Sequence, residues 1–220
     1  MKRNLLWLFI FAVAMAYLEA AIVVYLRELY YPENIQAIFP VKIFNKLDFV
    51  IEIGREAATI VMMLSVALLV ERKNFIRTFA AFLFLFGVWD IFYYIWLKIT
   101  IGWPLAWGEW DILFLIPWIW MGPWICPVLI SLLFVFWGTA VLRSAESYTF
   151  TRMSTILFVT GCGMALFSFL QPALPLLKQG SVEAFMNYLP GDFWWWLFVP
   201  GYFLMNAGLV IVLLKGGEPY

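Results

Sequence analysis

Apolar residues in this chain fall in long unbroken blocks. They do not alternate as in a half-buried strand, nor form the single stripe of a surface helix. The blocks cover about residues 5–26, 47–70, 75–97, 124–142, 153–170 and 193–214, with polar punctuation such as Glu71-Arg72-Lys73-Asn74 between them. At 1.5 Å per residue each block comes close to or exceeds the ~30 Å hydrocarbon core of a bilayer. The pattern predicts an all-α, polytopic membrane bundle of about six transmembrane helices, forming one domain over residues 1–220. The first block follows Met1-Lys2-Arg3 and passes Ala14-Met15-Ala16, which outlines a signal peptide. Its apolar run continues well beyond that point, so it is read as the first span.

The stretch 112–142 is too long for one straight crossing, and Pro117, Pro123 and Pro127 interrupt its first half. A broken or re-entrant segment over about 112–122, followed by a span from Trp124, accommodates these prolines; one long kinked helix is the alternative. Irregular backbone at membrane depth survives only where protein or water covers it, so this segment is expected to face the bundle interior. Pro200-Gly201 is expected to bend the last span. Small residues mark expected packing faces: Ala12, Ala16 and Ala20; Gly54 and Ala58; Gly161, Ala165 and Ser168.

Composition agrees with lipid as the solvent. Residues are 65% hydrophobic and 13% charged, against about 45–50% and 25% in a soluble domain. Net charge is zero, which gives no bulk attraction to nucleic acid. With the N-terminus inside, inner segments hold eight Lys and Arg (Lys2, Arg3, Arg72, Lys73, Arg77, Arg143, Arg152, Lys215). Outer segments hold five (Arg27, Lys42, Lys46, Lys98, Lys178). This bias predicts a multi-pass protein of the plasma or inner membrane with both termini cytoplasmic. Trp96, Trp103, Trp107, Trp110 and Trp194-Trp195-Trp196 fall near the outer boundary, as an interfacial belt does.

Histidine is absent. That removes bis-histidine haem ligation, the usual zinc sites, Ser-His and Cys-His nucleophile pairs and imidazole proton shuttles. Cys126 and Cys162 lie far apart in apolar stretches and form neither a CxxC pair nor a disulfide framework.

Ionisable residues inside the apolar blocks are therefore the candidate chemistry: Glu19 in the first, Glu52, Arg55 and Glu56 in the second, and Asp90 in the third. A charge at bilayer depth costs about 2.5–3.5 kcal/mol on insertion scales, so such residues are kept where they are paired, wetted or used. Glu19 and Asp90 each stand about seven residues from an outer span end, roughly 10 Å, and Glu56 about nine residues in. Three helices thus bring carboxylates to one level. Glu19 shares the face of Ala12 and Ala16, while Asp48, Glu52, Glu56 and Thr59 form one stripe beside Arg55. Gly87 leaves room beside Asp90, and Tyr93 and Tyr94 are candidate donors one turn later. Gly87-Val88-Trp89-Asp90-Ile91 and Gly108-Glu109-Trp110-Asp111-Ile112 share the pattern G-x-W-D-I, and Asp111 opens the Pro-broken segment above the same level. Four carboxylates against Arg55 leave acid in excess, which must be protonated, hydrated or bound to a cation.

Three function classes fit. One is transport or a conduit for protons or a small cation, through an outward-opening site made of Glu19, Glu52, Arg55, Glu56, Asp90 and Asp111. A second is a non-catalytic membrane subunit or anchor of a larger complex, or a homo-oligomer, in which Arg55 pairs with the acids as interhelical glue. The third is an intramembrane enzyme with a carboxylate-bound hard divalent cation such as Mg²⁺, Mn²⁺ or Ca²⁺. No other cofactor is expected, and a non-enzymatic role is favoured.

Overall fold

The computed structural model describes residues 2–39, 46–179 and 188–219. Lys42 and the side chains of Lys2, Arg3, Lys46 and Lys178, used above to assign orientation, lie outside the described residues. The protein is an integral membrane bundle with six helices long and apolar enough to cross a bilayer. They are α1 (Lys2–Tyr30), α2 (Lys46–Val70), α3 (Phe75–Ile101), α4 (Ile125–Arg143), α5 (Arg152–Leu170) and, after a short α6 (Leu174–Gln179), α7 (Trp195–Leu214).

Local chemistry sets the ends. Asn74 caps α3 by accepting from the Arg77 amide at 3.1 Å, and Gly102 stops it with φ 72°, a left-handed conformation that suits glycine. Thr151 and Ser154 form a reciprocal capping box at the start of α5. Arg77 donates to the carbonyls of Leu142 and Ser144 at 3.3 and 3.0 Å, satisfying the last turn of α4 from the neighbouring helix. Pro172 sits in a 3₁₀ turn (Gln171–Ala173) that ends α5, whereas α7 runs through Pro200-Gly201 as a helix.

Helices pair as α1 with α3, α3 with α4 and α5 with α7. Glycine makes the last two approaches possible. A Cβ on Gly87 would stand 2.5 Å from the Ser131 carbonyl oxygen, and one on Gly138 2.7 Å from that of Ala80. Gly161 and Gly201 meet in the same way between α5 and α7. Ala12, Ala16 and Ala20, and Gly161, Ala165 and Ser168, are buried as their spacing predicts. The Gly54–Ala58 stripe behaves differently: both residues are exposed on α2, and Gly54 has open space where a Cβ would stand. Small residues permit close packing but do not supply the partner, and α2 is the least buried span.

The segment before α4 leaves the helix as the prolines require, in the form of an antiparallel hairpin. Strand β1 (Trp110–Phe114) pairs with β2 (Trp120–Pro123), with an irregularity between Ile112 and Phe114. Pairing two strands satisfies backbone groups that neither helix nor lipid could serve at this position. Pro117 lies in the connection, where no amide donor is needed, and the kinked-helix alternative does not form. Asp111, Met121, Gly122 and Pro123 are buried, so the segment turns inward. A second small pair, β3 (Glu146–Ser147) with β4 (Gly217–Pro219), closes the opposite end.

Two spans run four residues further than hydropathy indicates, α1 to Tyr30 and α3 to Ile101. In α1 the extension carries Arg27, which a hydropathy scan rejects. It is nonetheless only 5% exposed, because its guanidinium lies 4.2 Å above the Trp103 ring and faces Asp111. Trp103 is accordingly buried instead of standing in the interfacial belt, whereas Trp107 and Trp196 are exposed.

Candidate functional site

Glu19, Glu52, Arg55, Glu56, Asp90 and Asp111 all line one cavity of about 130 Å³ between α1, α2, α3 and the hairpin. With a water occupying about 30 Å³, this is room for several waters or a small solute. Longer helices set it deeper than the sequence indicates. Glu19 and Asp90 each lie eleven residues from the helix end, about 16 Å along the axis.

The side chains divide into compensated and uncompensated groups. Arg55 of α2 pairs with Glu19 of α1 and, one turn back on its own helix, with Glu52 at 2.7 Å. Thr59, one turn on, donates to Glu19 at 3.4 Å. Glu52 is buried and belongs to this clamp. A second clamp joins Arg27 of α1 to Asp111 of the hairpin at 3.8 Å, and Tyr94 of α3 donates to the same carboxylate at 3.0 Å. Burial pushes Asp111 up to about 6, against the opposing pull of Arg27, the Tyr94 hydroxyl and the Ile112 amide.

Glu56 and Asp90 have neutral hydrogen-bond partners among the described residues. The Leu115 amide donates to the Glu56 carboxylate at 3.0 and 2.9 Å, fastening the hairpin to α2. Ser131 of α4 donates to Asp90 at 2.8 Å. Among the described residues no guanidinium or ammonium group lies within ion-pairing distance of either acid. Among the described residues, five carboxylates thus line a chamber that holds two guanidiniums. Tyr30, hydrogen-bonded to Asp48, stands at the chamber's α1–α2 end.

Two contributors, Arg27 and Ser131, escape a reading of the sequence, and a third, Tyr94, is expected as a donor but beside a different acid. Arg27 shares a face with Glu19 and Val23, at i+4 and i+8, and only the hydropathy boundary hides it. Tyr94 serves Asp111 and not Asp90. Ser131 is one of two hydroxyl residues in α4, with Thr139, a weak signal because serine can bond its own helix backbone. Among the described residues no group of three or more acid or thiol side chains converges on a single point fit for a metal ion.

No protein-family model, no curated protein and no solved structure matches this chain.

Proposed function

We propose that this membrane protein handles protons: the chamber admits them from one face of the membrane to acids held inside the bundle, with Asp90 as the innermost exchanger. The supporting observation is the pairing pattern. Arg55 and Arg27 compensate Glu19, Glu52 and Asp111, while Glu56 and Asp90 have hydrogen-bond donors but no ion-pair partner among the described residues. A carboxylate in that position is stabilised by taking a proton or a cation. The acids are distributed along the chamber wall instead of converging, which suits successive proton exchange better than capture of a hard cation needing six or more oxygens.

The excess of Lys and Arg at the α2–α3 and α4–α5 connections favours a chamber that opens outward, with cytoplasmic termini. The ion pairs have a structural part in the same reading. They join α1, α2 and the hairpin, so removal of an arginine disturbs the fold, whereas neutralising Asp90 disturbs the chemistry.

The test is proton movement in vesicles. Purified protein is reconstituted into liposomes containing a trapped pH-sensitive dye, and a potassium diffusion potential is imposed. The expected result is a proton flux above that of empty vesicles, abolished by Asp90→Asn and strongly reduced by Glu56→Gln. Flux equal to that of empty vesicles, or undiminished in Asp90→Asn, overturns the proposal.

A further inference from the structure

A second chamber, of about 250 Å³, lies on the other side of Asp90. α4 runs along α3 and α5 along α7, and this chamber fills the space between α4 and α5, closed by α3, α7 and the hairpin. Trp89, Asp90, Leu113 and Phe114 are common to both chambers, so Asp90 stands in a shared wall.

The lining has a definite chemistry. Six aromatic rings surround the space: Phe86, Trp89, Phe114, Trp120, Phe134 and Phe169. Trp120 and Phe169 lie nearly parallel, 7° apart at 6.1 Å between centroids. Ile130, Cys162 and Leu166, each half-buried, form a rim on α4 and α5. Both helices are membrane spans, so this rim meets hydrocarbon and an occupant enters from lipid.

The indole Nε1–H groups of Trp89 and Trp120 are buried without an acceptor among the described residues, and Trp89 is only 5% exposed. A buried donor left unpaired costs about 1–3 kcal/mol. Two such donors on residues lining one cavity point to an occupant that brings its own acceptors. A saturated chain offers no acceptor, and a fatty-acid carboxylate would bring negative charge against Asp90.

We propose that this chamber binds a flat, carbonyl-bearing lipophile of the quinone class, its ring between the aromatic walls and its tail in lipid between α4 and α5. The carbonyl oxygens accept from the Trp89 and Trp120 indoles, which sets the polar end of the ligand beside Asp90. Aromatic faces suit a planar ring through offset stacking and edge contacts. Binding needs no proton transfer at Asp90, so it is measured separately from proton flux and survives in Asp90→Asn.

The experiment follows the thermal unfolding of the purified full chain in detergent while decylubiquinone, hexadecane or palmitate is added. A ligand that binds only the folded state raises the midpoint saturably. The expected result is a saturable rise with decylubiquinone and none with the other two. Trp89→Phe and Trp120→Phe keep the ring and remove the donor, and each raises the half-saturating concentration about tenfold, as expected for one lost hydrogen bond. Leu166→Trp fills the rim and abolishes the response; Ile130→Trp makes the same block from the facing helix if the first variant does not fold. Equal stabilisation by hexadecane or palmitate overturns the proposal. So does the lack of a saturable response to decylubiquinone, or a response unchanged in the filled variants or in both Trp→Phe variants.

Discussion

The Ser131 hydroxyl on α4 donates a 2.8 Å hydrogen bond to Asp90 on α3, at the level where Gly87 lets the two helices touch. This contact holds an acid at the junction of a polar chamber and an apolar one without supplying a compensating charge. Asp90→Asn retains an oxygen that accepts from Ser131. We expect it to fold with stability within about 1 kcal/mol of wild type, the usual range for one neutral hydrogen bond, while proton flux is lost. Chemical unfolding in mixed micelles beside vesicle flux checks both halves.

Removing Arg55 is a different kind of perturbation. Arg55→Gln leaves Glu19 and Glu52 facing each other without their shared cation, and breaking one side of a buried pair costs about 3–5 kcal/mol. Adding Glu19→Gln to this variant relieves part of the repulsion. The double variant should therefore be more stable than Arg55→Gln alone, with a coupling of about 0.5–3 kcal/mol in the cycle.

Glycine substitutions separate packing from exposure. Gly87→Ala drives a Cβ into the Ser131 carbonyl and the Val135 methyl, at 2.5 and 2.9 Å. It should destabilise by about 1–3 kcal/mol, as overpacking does, and move Ser131 off Asp90. Gly54→Ala meets nothing within 4 Å and should stabilise α2 by up to about 1 kcal/mol through helix propensity. Unfolding midpoints of the two variants should shift in opposite directions.

Asp111 predicts a pH response at the hairpin. Its native pKa of about 6 lies above the ordinary 3.8, because burial outweighs Arg27 and Tyr94. The folded state therefore holds this proton more tightly than the unfolded one. The contribution to stability is full below about 4 and is lost as pH rises through about 6. Unfolding measured from pH 4 to 7 should show stability falling with pH across this window. Asp111→Asn should flatten the fall.

The spans were legible because hydropathy dominates in lipid: each of the six expected blocks coincides with a helix to within three residues at its start. The acids were legible for the complementary reason, since a charge in an apolar run has few places to go. Their common level followed from counting residues along α1, α2 and α3. The hairpin was legible only as a break. Prolines announce where a helix fails, but the Trp110–Pro123 pairing is a contact between segments and leaves no periodic trace in so short a stretch. Arg27 was hidden because a hydropathy scan ends a span at the first strong charge, whereas the backbone continues when Asp111 and Trp103 cover that charge. Gly54 and Ala58 erred in the other direction, since a small-residue stripe does not distinguish a helix neighbour from lipid.

Exchange of a proton between Asp90 and solution is most directly read by infrared difference spectroscopy on reconstituted protein, stepping the pH for wild type and Asp90→Asn. The predicted result is a protonated-carboxyl band in wild type that appears on acidification, shifts in D₂O and is missing from the variant. A spectrum in which wild type and Asp90→Asn show the same carboxyl bands would contradict the account.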